Sequence, residues 1–558
     1  MGSRLFSRLL KARGLSEEFL DPKYEELSDP LLLPDMDKAV SRLVQAVSSG
    51  EKVLVYGDYD VDGVTAATIM KETLELIGVS SVSVMLPDRF IDGYGMSSRA
   101  VERATSEGVS LVVTVDCGSN NGVVVDELSA AGVDVIVTDH HEISDTIPSA
   151  AVAVVNPKRK DFTGPKGLRE LCGAGVAFFV ARALVSRGLI PEGREKWLLD
   201  LTMIGTICDS MELTSDNRII CRYGLLVLGK TKRPGLLELM RVAGTKALNT
   251  EAIGFQIGPR LNAAGRLETA GKSLDLLSTW SRTEAAELAR ELNELNKERR
   301  RQQQEAVSGV LVSSGAGAGG ADGAGTGGTD ALSEPVVVVS GPWHEGILGI
   351  IAGRLTERLR KPSFVLTEVS DGGFKGSGRS FGEFNLAEAL NACRDDLVSG
   401  GGHAAAAGVT VKPDRLDDFK RDINDFYKGL GLSDQERFLE VSEDLEVEAI
   451  SDFSLDFVEE LSQLEPFGNG NPEPVFLLPG VTVMEVRKMG ADGKHLRLTI
   501  RDGLGTIMKL VAFFARGEWF ELQPGERADV WVSVMKNEWN GSVSVEGRIL
   551  RVERSKVD

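Results

Sequence analysis

The sequence predicts an α/β protein built in several parts. A parallel sheet comes first, a long helix leads from it to a second α/β domain, and a small β-barrel follows. Three observations predict this. From about residue 51 to 140, short β-branched runs alternate with helical patterns. Residues 282–312 hold one uninterrupted helical pattern. Beyond about residue 440, short alternating strands recur between turn residues. Alternating strands and helices imply parallel pairing through right-handed crossovers, whereas closely spaced strands with turns imply a barrel.

The first strand is read at "KVLVYGDYD" and its helix at "TAATIMKETLELIG". "SVSVMLP" then precedes "SSRAVERATSEG", "LVVTVDCG" precedes "VVVDELSAAG", and "VDVIVTDHH" closes the series. Acidic motifs fall just after these strands, where open α/β sheets bind their ligands. The segment "RTEAAELARELNELNKERRRQQQEAVSGVLV" is dominated by Ala, Leu, Glu and Arg, all good helix formers. A Gly/Ala-rich stretch follows, with too little apolar surface to order itself. "PVVVVSG", "KGSGRSFG" and "SGGGHAAAAG" belong to the second α/β segment. The barrel strands are "VTVMEV", "HLRLTI", "IMKLVAFF", "ADVWVSVM" and "SVSVEGRIL".

The chain has 558 residues, enough for several buried cores. No apolar run is long enough to span a bilayer, and the Arg- and Lys-broken start does not read as a secretory signal. The expected location is the cytoplasm. Five scattered cysteines without a C-x-x-C pair argue for a reducing compartment and against a zinc ribbon. The net charge of −20 argues weakly against non-specific nucleic-acid binding. It is a weak argument because acidic metal sites enter the count while their cations do not. "NPKRKDF" and "NKERRRQQQ" are local basic stretches.

"YGDYDVDG" sets Asp58, Asp60 and Asp62 at every second position. An EF-hand loop opens this way but needs Glu at its twelfth position and a helix before it. The twelfth residue from Asp58 is Ile69, and a strand precedes the motif. Asp116 follows the third strand, Asp139, His140 and His141 follow the fourth, and Asp209 follows a later apolar segment. Carboxylates converging in this way repel one another unless cations join them. Two divalent ions ~3.5–4 Å apart, with a bridging carboxylate and terminal Asp and His ligands, resolve the conflict. Carboxylates with one or two imidazoles suit Mn²⁺, with Mg²⁺ as the alternative. Of the remaining histidines, His403 lies among glycines that permit close approach of a substrate, whereas His495 is isolated.

"YGDYDVDGVT", "LPDRFIDGYGMS", "VTVDCG", "VTDHHE", "GTICDSMEL" and "GFQIGPRLNAAGRL" resemble, in order, the motifs of the DHH phosphoesterase superfamily. "HEGILGIIAGRL", "GSGRS" and "GGGHAAAAG" resemble its associated domain, and "LEPFGNGNPEPVF" resembles the lead into the oligonucleotide-binding (OB) barrel of its single-stranded-DNA exonuclease branch. On this resemblance, residues 1–50 form a helical lead-in and 51–281 the DHH catalytic domain. Residues 282–312 form the connecting helix and 313–334 a flexible insertion. Residues 335–430 form the DHH-associated substrate-binding domain and 440–558 the OB-type barrel.

The resemblance implies a two-metal enzyme that degrades single-stranded DNA from its 5′ end to mononucleotides, in repair and recombination. It places metal ligands at Asp60, Asp62, Asp116, His140 and Asp209, with Asp116 bridging, and leaves Asp58 as ligand or close support. His141 stands beside the scissile phosphate as hydrogen-bond donor or proton carrier, and Asp139 orients the histidines. Arg89, Arg260, Ser380 and His403 match phosphate-handling positions, and Arg379 is a further substrate-binding residue. Tyr94 reads either as a base-stacking residue or as a core aromatic, and Asn262 and Arg266 share the motif of Arg260. Arg266 is alternatively the partner of a structural carboxylate.

Tyr56 stands where some relatives have a metal-ligating His, which leaves the first ion's coordination open. Cys208, Ser210 and Glu212 depart from the family's usual residues around Asp209. The partners implied are single-stranded DNA, a single-strand-binding protein and a RecQ-type helicase, for a monomeric enzyme with no membrane. Two alternatives stay open: a phosphodiesterase for oligoribonucleotides or cyclic dinucleotides, and a non-catalytic DNA-binding relative. The barrel argues against the first and the intact aspartates against the second.

Overall fold

A computed structural model describes residues 3–93, 95–143, 146–313, 331–370, 372–432, 441–490, 493–513, 515–539 and 541–555. Tyr94 and most of the Gly/Ala-rich insertion lie outside the described residues. The chain divides into two compact units, each discontinuous in sequence.

The larger unit comprises Ser28–Met211 and Tyr223–Leu439. Its first sheet contains β1 (Lys52–Tyr56), β2 (Ser81–Met85), β3 (Leu111–Val115), β4 (Asp134–Thr138) and β5 (Ala153–Val155), in the order β2-β1-β3-β4-β5. All neighbours run parallel, as the alternation of strand and helix requires. The central strands read as continuous apolar runs because both faces are covered. Val53, Leu54, Val55 and Leu111, Val112, Val113 are all buried. On one side Leu54, Val112, Val135 and Val137 join Ala100, Ala104, Val125 and Leu128 of two crossover helices, Ser98–Glu107 and Gly122–Ala130. Helices Val61–Leu76, Gly173–Ser186 and Leu199–Cys208 pack with one another beside this sheet.

Strand register places the site. Tyr56 lies level with Thr114, and Val115 with Thr138. The residues that follow each strand therefore emerge at one edge of the sheet, which brings Asp58, Asp116 and the Asp139–His141 run together.

Helix Arg282–Ser313 runs to the second domain, where Ala306 and Val307 pack with Val337, Ile351 and Leu355. That domain's sheet comprises β6 (Val337–Ser340), β7 (Ser363–Glu368), β8 (Phe374–Arg379), β9 (Leu397–Gly402) and β10 (Ala406–Val411), ordered β6-β7-β8-β10-β9. Among the described residues the β6–β7 pair alone is parallel.

The smaller unit comprises Met1–Leu27, Glu212–Arg222 and Glu440–Asp558. Its strands are β11 (Leu445–Glu446), β12 (Phe476–Met489), β13 (His495–Arg501), β14 (Ile507–Ala512), β15 (Arg527–Trp539) and β16 (Ser542–Arg554). The order β11-β12-β13-β14-β16-β15, with β12 also paired to β15, closes the barrel that the strand spacing predicts. Leu5, Phe6 and Leu9 of helix Arg4–Arg13 belong to the barrel's own core, beside Phe457 and Phe476. The Glu212–Arg222 segment is pinned within the same unit by Arg218. Its buried guanidinium donates to the carbonyls of Phe19, Leu464 and Gln463 at 3.0, 2.8 and 3.1 Å. Three carbonyl acceptors make this uncharged-partner burial tolerable, although burial still lowers the Arg218 pKa to about 10.

Candidate metal centre and phosphate pocket

The carboxylates do not all come from strand ends, as the sequence spacing suggested. Asp60 caps helix Val61–Leu76, its side chain accepting from Gly63 N at 3.0 Å. Asp62 lies in that helix's first turn. Asp209 caps the C-terminus of helix Leu199–Cys208. Only Asp58, Asp116 and the Asp139–His141 run leave strands directly. Alternating aspartates around "DVDG" look like a loop, but a helix that begins at Val61 turns two successive carboxylates into its N-terminal cap and first turn. Both are favourable positions for negative charge.

Ligand-bearing atoms gather in three overlapping triads: Asp58–Asp60–Asp116, Asp62–His140–Asp209 and Asp116–His140–His141, each with its atoms within 4.8 Å of one another. Asp116 and His140 each belong to two triads. His140 Nε2 lies 3.1 Å from Asp116, 3.6 Å from Asp209 and 3.7 Å from Asp62. The site is costly to build. Asp116 has φ +60°, an uncommon conformation for a residue with a side chain. Burial first, and neighbouring carboxylates second, raise Asp58 and Asp209 to about 8 and raise Asp116 well above the carboxylate range. Burial lowers His140, favouring the neutral ligating form. Asp58 Oδ1 and Asp116 Oδ1 are buried and accept no hydrogen bond among the described residues. A carboxylate-rich, imidazole-containing donor set with orphaned oxygens fits hard divalent cations of the Mn²⁺ or Mg²⁺ type.

The supporting contacts are equally specific. Asp139 accepts from Ser119 N at 2.9 Å, His140 N at 2.7 Å, His141 N at 3.1 Å and His141 Nδ1 at 2.8 Å. Against its burial, the hydrogen bond and charge of His141 hold the Asp139 pKa at about 2. Burial opposes protonation of His141 too, but the bond to Asp139 raises it to about 9. Asn156 steadies the same turn through Ser119 Oγ at 2.8 Å and the His141 carbonyl at 3.0 Å. Asp62 is held by the N-terminus of helix Gly173–Ser186, accepting from Gly173 N at 2.6 Å and Ala174 N at 2.9 Å. Neither Asn156 nor this helix start stands out in the sequence. Tyr56 is fully buried in the sheet's core and donates to the Gly95 carbonyl at 3.1 Å, so it belongs to the packing.

Basic residues collect nearby. Arg266 is half-buried, and its pKa is pushed down to about 10 by desolvation and then by Arg89 and Arg299, with Arg379 a smaller contributor. Its hydrogen bond runs to the Gly346 carbonyl at 3.3 Å. The structure gives it arginine neighbours in place of the structural carboxylate considered as its alternative partner; Asp60 is the anion that acts on it electrostatically. Gly346 is required here, since a Cβ would fall 1.8 Å from the Arg266 carbonyl. Arg379 is oriented by Ser377 Oγ at 2.9 Å and the Gly378 carbonyl at 2.8 Å. Arg299, which the sequence did not single out, completes the cluster.

Arg260 lies on the same helix as Arg266 and shares the like-charged neighbour Arg300 with Arg299. It donates to Asn293 at 3.1 Å and to the Gln256 carbonyl at 2.7 Å. Asn262 is half-buried on the same helix, Gly258–Leu267. Ser380 donates to the Phe384 carbonyl, and its own N–H reaches Ala405 O at 2.9 Å. His403 is exposed in the β9–β10 turn. In the barrel, His495 meets the exposed ring of Phe513 edge to face.

Comparison with known proteins agrees with this architecture. Three family profiles match in order: the DHH family N-terminal domain over residues 52–206, the DHHA1 domain over 333–429 and the RecJ OB domain over 444–550. The single-stranded-DNA-specific exonuclease RecJ of Bacillus subtilis is 37% identical over 548 residues, covering 96% of this chain and 66% of that protein. RecJ of Escherichia coli is 33% identical over 538 residues, covering 91% of this chain and 89% of that protein. The crystal structure of Thermus thermophilus RecJ in complex with Mn²⁺ superposes with a TM-score of 0.83 at 29% identity, covering 100% of this chain and 76% of that one. The Mg²⁺ complex from the same organism gives a TM-score of 0.76 at 27% identity, covering 100% and 75%. With its three domain matches in order and its ligand triads at the sheet edge, this chain belongs to the RecJ family of the DHH superfamily.

Proposed function

We propose that the protein is a metal-dependent exonuclease that hydrolyses single-stranded DNA from the 5′ end, releasing 5′-mononucleotides. The observation that carries this is the pair of residues, Asp116 and His140, shared among three ligand triads at one sheet edge. Asp60, Asp62, Asp116, His140 and Asp209 would hold two Mn²⁺ or Mg²⁺ ions, and Asp58, with its orphaned oxygen, would be a further ligand or close support. When bound, such ions activate water and neutralise phosphate charge.

The chain's own groups position the strand. Asp139 fixes the Nδ1 proton of His141, which donates a hydrogen bond to the scissile phosphate. Arg89, Arg266, Arg299 and Arg379 neutralise the terminal 5′ phosphate, with Ser380 and His403 as further contacts and Arg260 and Asn262 farther along the strand. Attack of water on phosphorus breaks the bond to the 3′ oxygen. The nucleotide departs with its 5′ phosphate, and a new 5′ phosphate remains on the strand for the next cycle. The barrel tracks the downstream strand without sequence preference. A cytoplasmic monomer that cooperates with a single-strand-binding protein and a RecQ-type helicase completes the proposal.

Calorimetric Mn²⁺ titration together with an Asp116→Ala variant tests it. The wild-type protein binds two ions, and the variant loses metal-dependent nuclease activity while keeping its far-ultraviolet dichroism. Wild-type turnover by the variant would remove Asp116 from the centre.

A further inference from the structure

We infer that Tyr59, between two of the ligand aspartates, is the positioning residue that aims Arg89 at the terminal phosphate. The inference rests on the phosphate-pocket reading of Arg89 given above.

Arg89 lies in a turn whose main chain is closed by carboxylates. Asp92 N donates to the Asp88 carbonyl and Asp88 N to Asp92 Oδ2, both at 2.8 Å, and Phe90 N donates to Asp88 Oδ1 at 2.8 Å. Asp92 is engaged further by Ser97 Oγ and by the Arg99 guanidinium, each at 2.8 Å. The turn's acidic side chains are thus committed to its own backbone and to Arg99. The Arg89 guanidinium lies instead over the Tyr59 ring, its Cζ 4.2 Å from the ring centroid. Arg89 Nε is buried without a hydrogen-bond partner among the described residues. The next residue, Phe90, meets His344 of the second domain edge to face, with ring centroids 5.2 Å apart.

Two aromatic contacts therefore hold the turn, and one of them bears on the cation itself. A cation stacked on a ring face keeps its in-plane N–H groups available for an anion, whereas a carboxylate partner would consume them. Arg266 is a like-charged neighbour of the stacked guanidinium, while Asp58 and Asp60 supply negative charge nearby, and an incoming phosphate adds to that compensation. Tyr59 also ties this cluster to the metal loop. Its carbonyl lies where a Cβ at Gly265 would meet it at 2.5 Å, one residue before Arg266. Through Tyr59, the loop that carries Asp58 and Asp60 and the helix that carries Arg266 share one support for Arg89.

The test compares Tyr59→Leu, Tyr59→Phe and Arg89→Gln on the same oligodeoxynucleotide with a 5′ phosphate or a 5′ hydroxyl, alongside Mn²⁺ titration. Tyr59→Leu is expected to reduce the KM advantage of the phosphorylated end about tenfold, the weight of one partly desolvated cation–π contact. Tyr59→Phe keeps the ring and restores that advantage, and Mn²⁺ affinity stays at the wild-type value in both variants. Equal losses on both ends, or loss of Mn²⁺ affinity in Tyr59→Leu, would reduce Tyr59 to a structural residue and overturn the inference. So would an unchanged end preference in Tyr59→Leu when Arg89→Gln abolishes it. If Arg89→Gln itself keeps the preference, the phosphate-pocket reading fails, and the inference falls with it.

Discussion

Gly173→Ala should damage the metal centre although residue 173 carries no ligand. A Cβ at this position would lie 2.4 Å from Asp116 Cβ and 2.6 Å from Asp116 Oδ1, inside van der Waals contact. Two responses are available. The start of helix Gly173–Ser186 can retreat, which lengthens the 2.6 Å and 2.9 Å bonds to Asp62. A hydrogen bond to a charged group is worth about 1.5–3 kcal/mol. Alternatively Asp116 can rotate off its rotamer at about 0.5–1.5 kcal/mol, on a backbone already at φ +60°. Both routes displace a ligand carboxylate, and losing such support typically lowers metal affinity about 10–100-fold. Calorimetric Mn²⁺ titration reads this directly. Gly175→Ala is the control: it lies in the same helix turn, but the atoms nearest its Cβ would belong to Leu171, at 3.2 Å and beyond. Wild-type Mn²⁺ affinity in Gly173→Ala, or equal losses in both variants, would refute the argument that this helix start shapes the centre.

Asp139→Asn removes an anion that accepts four N–H groups, and an amide nitrogen would then face one of those donors. Urea unfolding should report a loss of about 1–3 kcal/mol for the unsatisfied buried group. Turnover should fall more than strand binding, because His141 loses its fixed tautomer. The stability of the metal-free protein should also depend on pH. Asp58 and Asp209 titrate near 8 when folded, well above their ordinary value. A carboxyl whose folded pKa is raised contributes stability below its unfolded pKa and loses it as pH rises through the folded one. The melting temperature in chelator should therefore fall between about pH 4 and 8 from this source. Saturating Mn²⁺ should abolish the fall, since cations replace protons, and a chelated protein that gains stability across that window would contradict the burial of these groups.

The strands were legible because their β-branched runs are buried on both faces, and the order of acidic motifs located the sheet edge. What lay beyond reading was tertiary. Asp62 and Asp209 looked like loop or strand-end residues, yet helices present them, because a helix start at Val61 depends on the capping bond that Gly63 N donates to Asp60. Among Arg299, Arg300 and Arg301, the pattern cannot tell which faces inward. Arg301 is occupied by Glu298 and Glu305, while Arg299 is half-buried and acts electrostatically on Arg266. Tyr56 could have been a ligand until packing placed its hydroxyl on Gly95. That Leu5, Phe6 and Leu9 share a core with residues more than four hundred positions away is a contact no local signal announces.

The most direct measurement is digestion of one single-stranded oligodeoxynucleotide labelled at either end, with Mn²⁺ or with chelator, against duplex DNA and RNA controls. The account predicts immediate release of labelled mononucleotide from the 5′-labelled strand. The 3′-labelled strand should shorten progressively, and chelator should stop both. Immediate mononucleotide release from the 3′ end, or undiminished cleavage in chelator, would contradict it.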